Sequence, residues 1–150
     1  MKIYLIRHGY AESLSGHADD SRRNLTEEGR LGIRRQAETL RERGVAIRQI
    51  FHSPFVRARQ TAELVFQSFK VPLAELPDLV PGGNPESVLM SIAEMEENSL
   101  LVSHLPIIAE LAFSLTGARV SFFPGTCIEV SLPEKARFSG ELGWVLHPEP

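Results

Sequence analysis

Three short polar clusters in this chain carry residues able to handle an anion: Arg7-His8-Gly9, the stretch from Ser53 to Arg57, and Ser103-His104. An imidazole can attack phosphorus or donate a proton, and a guanidinium forks onto the oxygens of a phosphoryl group. Alone, each signal is weak. The tripeptide Arg-His-Gly arises by chance in about one in a hundred chains of this length. The stretch around Arg57 also reads as a capped amphipathic helix with solvated arginines, and His104 as a hydrogen-bonded histidine at a strand end. The chemistry becomes specific only if the fold gathers the clusters.

The surrounding elements are predicted to gather them. Lys2 to Ile6 is an apolar, β-branched run that reads as a buried strand ending at the first cluster. Gln49 to His52 reads as a short strand, and Ser53-Pro54 as a cap and first helical residue, with Ala58, Ala62, Val65 and Phe69 inward. Ser99 to Ser103 is a third strand, and His104-Leu105-Pro106 leads into a helix with Ile107, Ile108, Leu111 and Leu115 inward, closed by Gly117. Each cluster therefore stands at the carboxyl end of a strand, where open α/β sheets bind ligands, and two of them also open helices, whose free N–H groups favour anions.

Two further helices complete the pattern. Thr26 caps one with Glu27 and Glu28 in its first turn, Ile33, Ala37 and Leu40 inward, Arg41 and Arg43 at its end and Gly44 as its stop. Asn84-Pro85 starts the other, with Val88, Leu89, Ile92 and Met95 inward and Asn98 ending it. Tyr10 to Asn24 and the Pro-punctuated stretch from Pro72 to Pro85 read as connections. Cys127 to Leu132 and Gly143 to Leu146 read as an antiparallel pair joined by a polar, glycine-containing loop. The order β-α-β-α-α-β-α followed by two strands predicts one α/β domain over residues 1–150 with a mixed, mostly parallel sheet.

Composition narrows the class. The chain has 150 residues, 43% hydrophobic and 23% charged, with a formal charge of -3. That charge offers no global attraction to nucleic acid or to anionic membranes, so anion binding has to be local. The single Cys127 cannot close an internal disulfide and reads as a small core residue, the opening apolar run is too short for a signal peptide, and no segment approaches membrane-spanning length; a reducing cytoplasm is the expected home. His17, Asp19 and Asp20 have a spacing common in polar loops, and no metal or other cofactor is expected. His52 and His147 belong to no motif, and Arg59 is expected to face water.

Taken together, the clusters resemble the histidine phosphatase superfamily. Arg7-His8-Gly9 stands where that family has its nucleophile motif, Ser53-Pro54-Phe55-Val56-Arg57-Ala58-Arg59-Gln60-Thr61 matches its second-arginine motif, and Ser103-His104 its second histidine. Arg23-Asn24-Leu25-Thr26-Glu27-Glu28-Gly29 is similar to a family segment before the first helix, and the short chain resembles the SixA-like phosphohistidine phosphatase branch. The resemblance implies a three-layer, phosphoglycerate mutase-like α/β/α fold without a lid insertion and a metal-independent phosphatase. It further implies that His8 is phosphorylated and that Arg7, Arg57 and His104 hold the phosphoryl group, with Gly9 and Arg23 as further binding residues. The general acid stays unassigned: only Glu75 and Asp78 stand near the position where some relatives carry one. The substrate is expected to be a phosphorylated protein, such as a histidine phosphotransfer domain, with a small phosphate ester and a catalytically weak phosphoprotein-binding module as alternatives.

Overall fold

Lys2–Arg7 becomes a central strand because its alternating side chains find cover on both sides. Ile3 and Leu5 enter one hydrophobic core, Tyr4 and Ile6 the other. The computed structural model describes residues 1–15, 19–133 and 139–149; His17 and much of the loop before the last strand lie outside them. In chain order come β1 (Lys2–Arg7), α1 (Glu27–Glu42), β2 (Gln49–His52), α2 (Val56–Phe69), β3 (Leu73–Glu75), α3 (Pro85–Glu94), β4 (Ser99–Ser103), α4 (Ile107–Thr116), β5 (Cys127–Ser131) and β6 (Glu141–Leu146). Short 3-10 turns occur at Asp20–Arg22 and Pro77–Leu79.

The strands form one six-stranded sheet in the order β3-β2-β4-β1-β5-β6. The first four in that order are mutually parallel; β5 and β6 run antiparallel to their neighbours. The core on one face joins Ile3, Leu5, Leu101 and Val130 to Val88, Leu89 and Ile92 of α3 and Ile108 and Leu111 of α4. The core on the other joins Tyr4, Ile6, Leu100 and Val102 to Ile33, Ala37 and Leu40 of α1 and Ala58, Ala62 and Val65 of α2. This is the expected three-layer α/β/α arrangement. Among the described residues no helix is long and apolar enough to cross a membrane.

The local signals at helix ends act largely as expected. Thr26 Oγ1 accepts from the Gly29 N–H at 2.9 Å, Asn84 Oδ1 accepts from Glu86 and Ser87, and Gly44 and Gly117 take the left-handed conformation that ends α1 and α4. Four details differ. Helix α2 starts at Val56 rather than at Pro54, with Phe55 at its cap position, because the Ser53 hydroxyl serves the Phe55 N–H and a histidine instead of the first helical turn. The stretch after Pro72 contains β3, an edge strand too short to show a period of its own. Helix α3 stops at Glu94, leaving Met95 just beyond it though still against the core, and β6 begins at Glu141, two residues before Gly143.

Candidate active site

Three parallel strands that lie side by side end together. The register pairs Arg7 with Ser103 and His52 with Val102, so the residues that follow β2, β4 and β1 emerge on one edge of the sheet. Backbone hydrogen bonds hold that edge: His8 N donates to the Ser103 carbonyl at 3.1 Å and Ser53 N to the Val102 carbonyl at 3.1 Å. A cleft of about 340 Å³ opens there, lined by Arg7, His8, Gly9, Tyr10, Ala11, Arg23, Arg57, His104, Leu105 and Pro124. Arg7, His8, Gly9, Arg23, Arg57 and His104 all line this one cleft.

His8 is held in one tautomer. Its Nδ1 lies 2.7 Å from the Gly9 carbonyl oxygen, which can only accept, so Nδ1 carries the proton. Nε2 is left with its lone pair, and the Arg57 Nε–H donates to it at 3.3 Å. Burial drives the imidazole pKa down to about 3, and the charges of Arg57, Arg7 and Arg23 push the same way against the hydrogen bond to Gly9. The ring is therefore neutral and nucleophilic at ordinary pH, with desolvation the larger cause and the arginines the lesser one.

The rest of the cleft is built from braces. Arg57, almost wholly buried, donates from its terminal nitrogens to the Asp20 carbonyl oxygen at 2.8 Å and to Asp20 Oδ2 at 3.2 Å. Arg23 donates to Asp20 Oδ1 and to the Glu12 carbonyl, each at 2.7 Å. Burial alone would raise the Asp20 carboxyl, but Arg23 and Arg57 together hold it below its ordinary value. Arg7 is anchored by donation to the Phe122 carbonyl at 2.9 Å. The His8 ring lies 5.0 Å from the His104 ring, whose other neighbour is Phe55 at 5.2 Å. His104 is 1% exposed, and burial first, then the charge of His8 and the arginines, depresses its pKa to about 2.

Several contributors were invisible as site residues in the sequence. Thr61 Oγ1 accepts from Gly9 N at 3.1 Å while donating to the Arg57 carbonyl one helical turn back, which ties α2 to the His8 loop. Gln60 accepts from Leu25 N and donates to Asn24 Oδ1. Their place beside Arg57 on the inner face of α2 was the available signal. Asp20 surfaced only as a metal candidate; its carboxylate instead pairs with two arginines. Among the described residues no group of three or more His, Cys, Asp or Glu side chains is arranged to hold a metal ion. Glu75 and Asp78 are not among the residues lining the cleft: Glu75 ends the edge strand β3, and Asp78 Oδ1 lies 3.5 Å from Asn84 N. Arg59 pairs with Glu63 on the surface, His52 donates to the Ser53 carbonyl, His147 pairs with Thr126, and Cys127 is a buried core thiol.

Comparison with known proteins identifies the family. Residues 3–80 match the model of the histidine phosphatase superfamily, branch 1. The chain is 31% identical over 156 residues to the phosphohistidine phosphatase SixA of Escherichia coli strain K12, covering 99% of this chain and 94% of that protein. It is 30% identical over 145 residues to the phosphohistidine phosphatase SixA homolog of Haemophilus influenzae, covering 87% of each. A solved structure of the protein histidine phosphatase SixA complexed with tungstate matches with a TM-score of 0.90 at 31% identity, covering 99% of this chain and 97% of that one.

Proposed function

The chain belongs to the histidine phosphatase superfamily and is a phosphatase, and from that premise we propose that it removes the phosphoryl group from a phosphohistidine on a partner protein, with His8 as nucleophile. The carrying observation is the state of His8: Nδ1 is committed to the Gly9 carbonyl, and a neutral Nε2 is presented to a cleft that three arginines line. In the first step the Nε2 lone pair forms a bond to phosphorus as the bond between phosphorus and the substrate imidazole breaks, and the substrate imidazole leaves neutral because its other ring nitrogen carries a proton from the outset. In the second, water attacks the phosphorylated His8, inorganic phosphate leaves, and the imidazole is regenerated. Arg7, Arg57 and His104 hold the transferring oxygens throughout, Arg23 adds charge at the mouth, and the Gly9 carbonyl keeps the nucleophile oriented. The guanidiniums supply the charge that metals supply in other phosphoryl transfers, so a chelator is expected to leave turnover unchanged.

Two features favour phosphohistidine over an alkyl phosphate. Among the described residues no carboxylate lines the cleft to protonate a departing alkoxide, whereas imidazole departs more readily. The cleft is lined in part by exposed Tyr10 and Leu105, a rim that a partner protein could cover. A cytoplasmic setting belongs to this reading. The test compares kcat/KM for a phosphorylated phosphotransfer domain, free phosphohistidine and several sugar phosphates. The phosphorylated protein should lead; a sugar phosphate ahead by about tenfold, or about 1.4 kcal/mol of transition-state binding, would overturn the proposal. Rapid quench should trap an acid-labile, base-stable phosphoenzyme that is absent in His8→Ala.

A further inference from the structure

Ser53 lies at the end of β2 and is wholly buried, although hydroxyls are more often found wet. Its Oγ accepts from the Phe55 N–H at 3.1 Å and meets His104 Nε2 at 2.8 Å. The other nitrogen of that ring, Nδ1, is buried and has no hydrogen-bond partner, and His104 lines the cleft. The Arg7 Nε–H is a second buried donor without a partner, again on a cleft-lining residue. Buried polar groups are rarely left unpaired, and two that share one cleft mark where an acceptor is missing.

We infer that Ser53 is a positioning residue that fixes the proton of His104 on Nδ1, making that atom a hydrogen-bond donor to a phosphoryl oxygen; the inference rests on the cleft receiving a phosphoryl group, as proposed above. A ring nitrogen's role is set by the bond the other nitrogen makes. When His104 is neutral, the Ser53 O–H donates to Nε2 and leaves the proton on Nδ1. When an anion arrives and the ring takes a second proton, the same hydroxyl turns and accepts from Nε2–H. Nδ1 therefore donates in both states. Burial keeps the empty site in the neutral state, where the tautomer matters most. Without the hydroxyl the proton is free to settle on Nε2, and the lone pair then left on Nδ1 would repel a phosphoryl oxygen. The edge-on Phe55 ring, 5.2 Å from His104, holds the imidazole in place while the proton is assigned.

The experiment combines nitrogen NMR of the His104 ring with titration by tungstate and turnover of an aryl phosphate. Wild type should show a protonated Nδ1. Ser53→Ala should shift the proton toward Nε2 and weaken tungstate binding and kcat/KM by about tenfold or more, the loss of a hydrogen bond to a charged group. Ser53→Thr, which keeps the hydroxyl, should restore all three. Circular dichroism checks that each variant folds; if Ala or Thr does not, Ser53→Cys, with its weaker S–H donor, should give an intermediate tautomer population and affinity. A folded Ser53→Ala with the proton still on Nδ1 and tungstate affinity within about twofold of wild type would overturn the inference. Failure of wild type to bind tungstate would instead count against the functional reading, while the tautomer signal would still decide the role of Ser53.

Discussion

At the residue scale, one contact constrains the chemistry most: the 3.3 Å hydrogen bond from Arg57 to the lone pair of His8 Nε2. In the proposed mechanism it aims His8 Nε2 before substrate arrives, and it has to give way for attack. Asp20 holds Arg57 in that pose, and Arg23 shares the carboxylate. Arg57→Ala should therefore cut kcat by roughly a hundredfold or more, because a preorganised charge on the transferring group is lost. Asp20→Asn should cost about tenfold, since the backbone carbonyl of residue 20 still receives Arg57 while the carboxylate no longer aligns it. Steady-state kinetics on the phosphoprotein would check both, and wild-type turnover in Arg57→Ala would remove that guanidinium from the mechanism. Arg57 could be read from the sequence because it sits in a motif next to a strand end. Asp20 could not, because a carboxylate in a polar loop has many possible neighbours and nothing in its spacing selects two arginines.

At the element scale, the N-terminus of α1 clamps the loop that follows His8. Thr26 N donates to the Tyr10 carbonyl at 3.0 Å, and Gly29 lets the helix sit so close that a Cβ there would overlap the Tyr10 carbonyl oxygen. Gly9 is confined in the same way, with a Cβ falling 2.7 Å from an Ile33 side-chain carbon. Gly29→Ala should force helix and loop apart, destabilise the fold by about 1–3 kcal/mol and weaken tungstate binding at the neighbouring site. Gly32→Ala, on the same helix with nothing within 4 Å of its Cβ position, should be neutral or stabilise by up to about 1 kcal/mol. Thermal denaturation of the two variants separates the steric explanation from a general intolerance of α1 to alanine. Equal losses in both would discard the close approach as the reason for Gly29.

At the scale of the whole molecule, the burial that makes two histidines neutral also links stability to pH. His8 and His104 titrate near 6.5 when unfolded, but burial holds them near 3 and 2 when folded. Below about pH 6.5 the unfolded chain binds protons that the folded chain refuses, so stability is lost progressively as pH falls toward the folded values. The urea midpoint should drop between about pH 7 and pH 5, and a His8→Asn, His104→Asn double variant should show a flatter dependence. A wild-type midpoint constant over that range would mean that both rings titrate normally. The sequence by itself determined the α/β class with its mixed sheet, most of the elements and the three clusters that meet at the cleft, because strand periodicity, helix caps and strand-end clusters are local signals written within a few residues; the three layers were what the family resemblance implied. Only the tertiary structure decided that Ser53 serves His104 instead of capping α2, that Asp20 ties two arginines together, that Thr61 holds Gly9, and that Glu75 and Asp78 stand away from the cleft. Those contacts join residues far apart in the chain, and which partner a buried polar group finds depends on how helices and sheet pack around it, a property that no local spacing encodes.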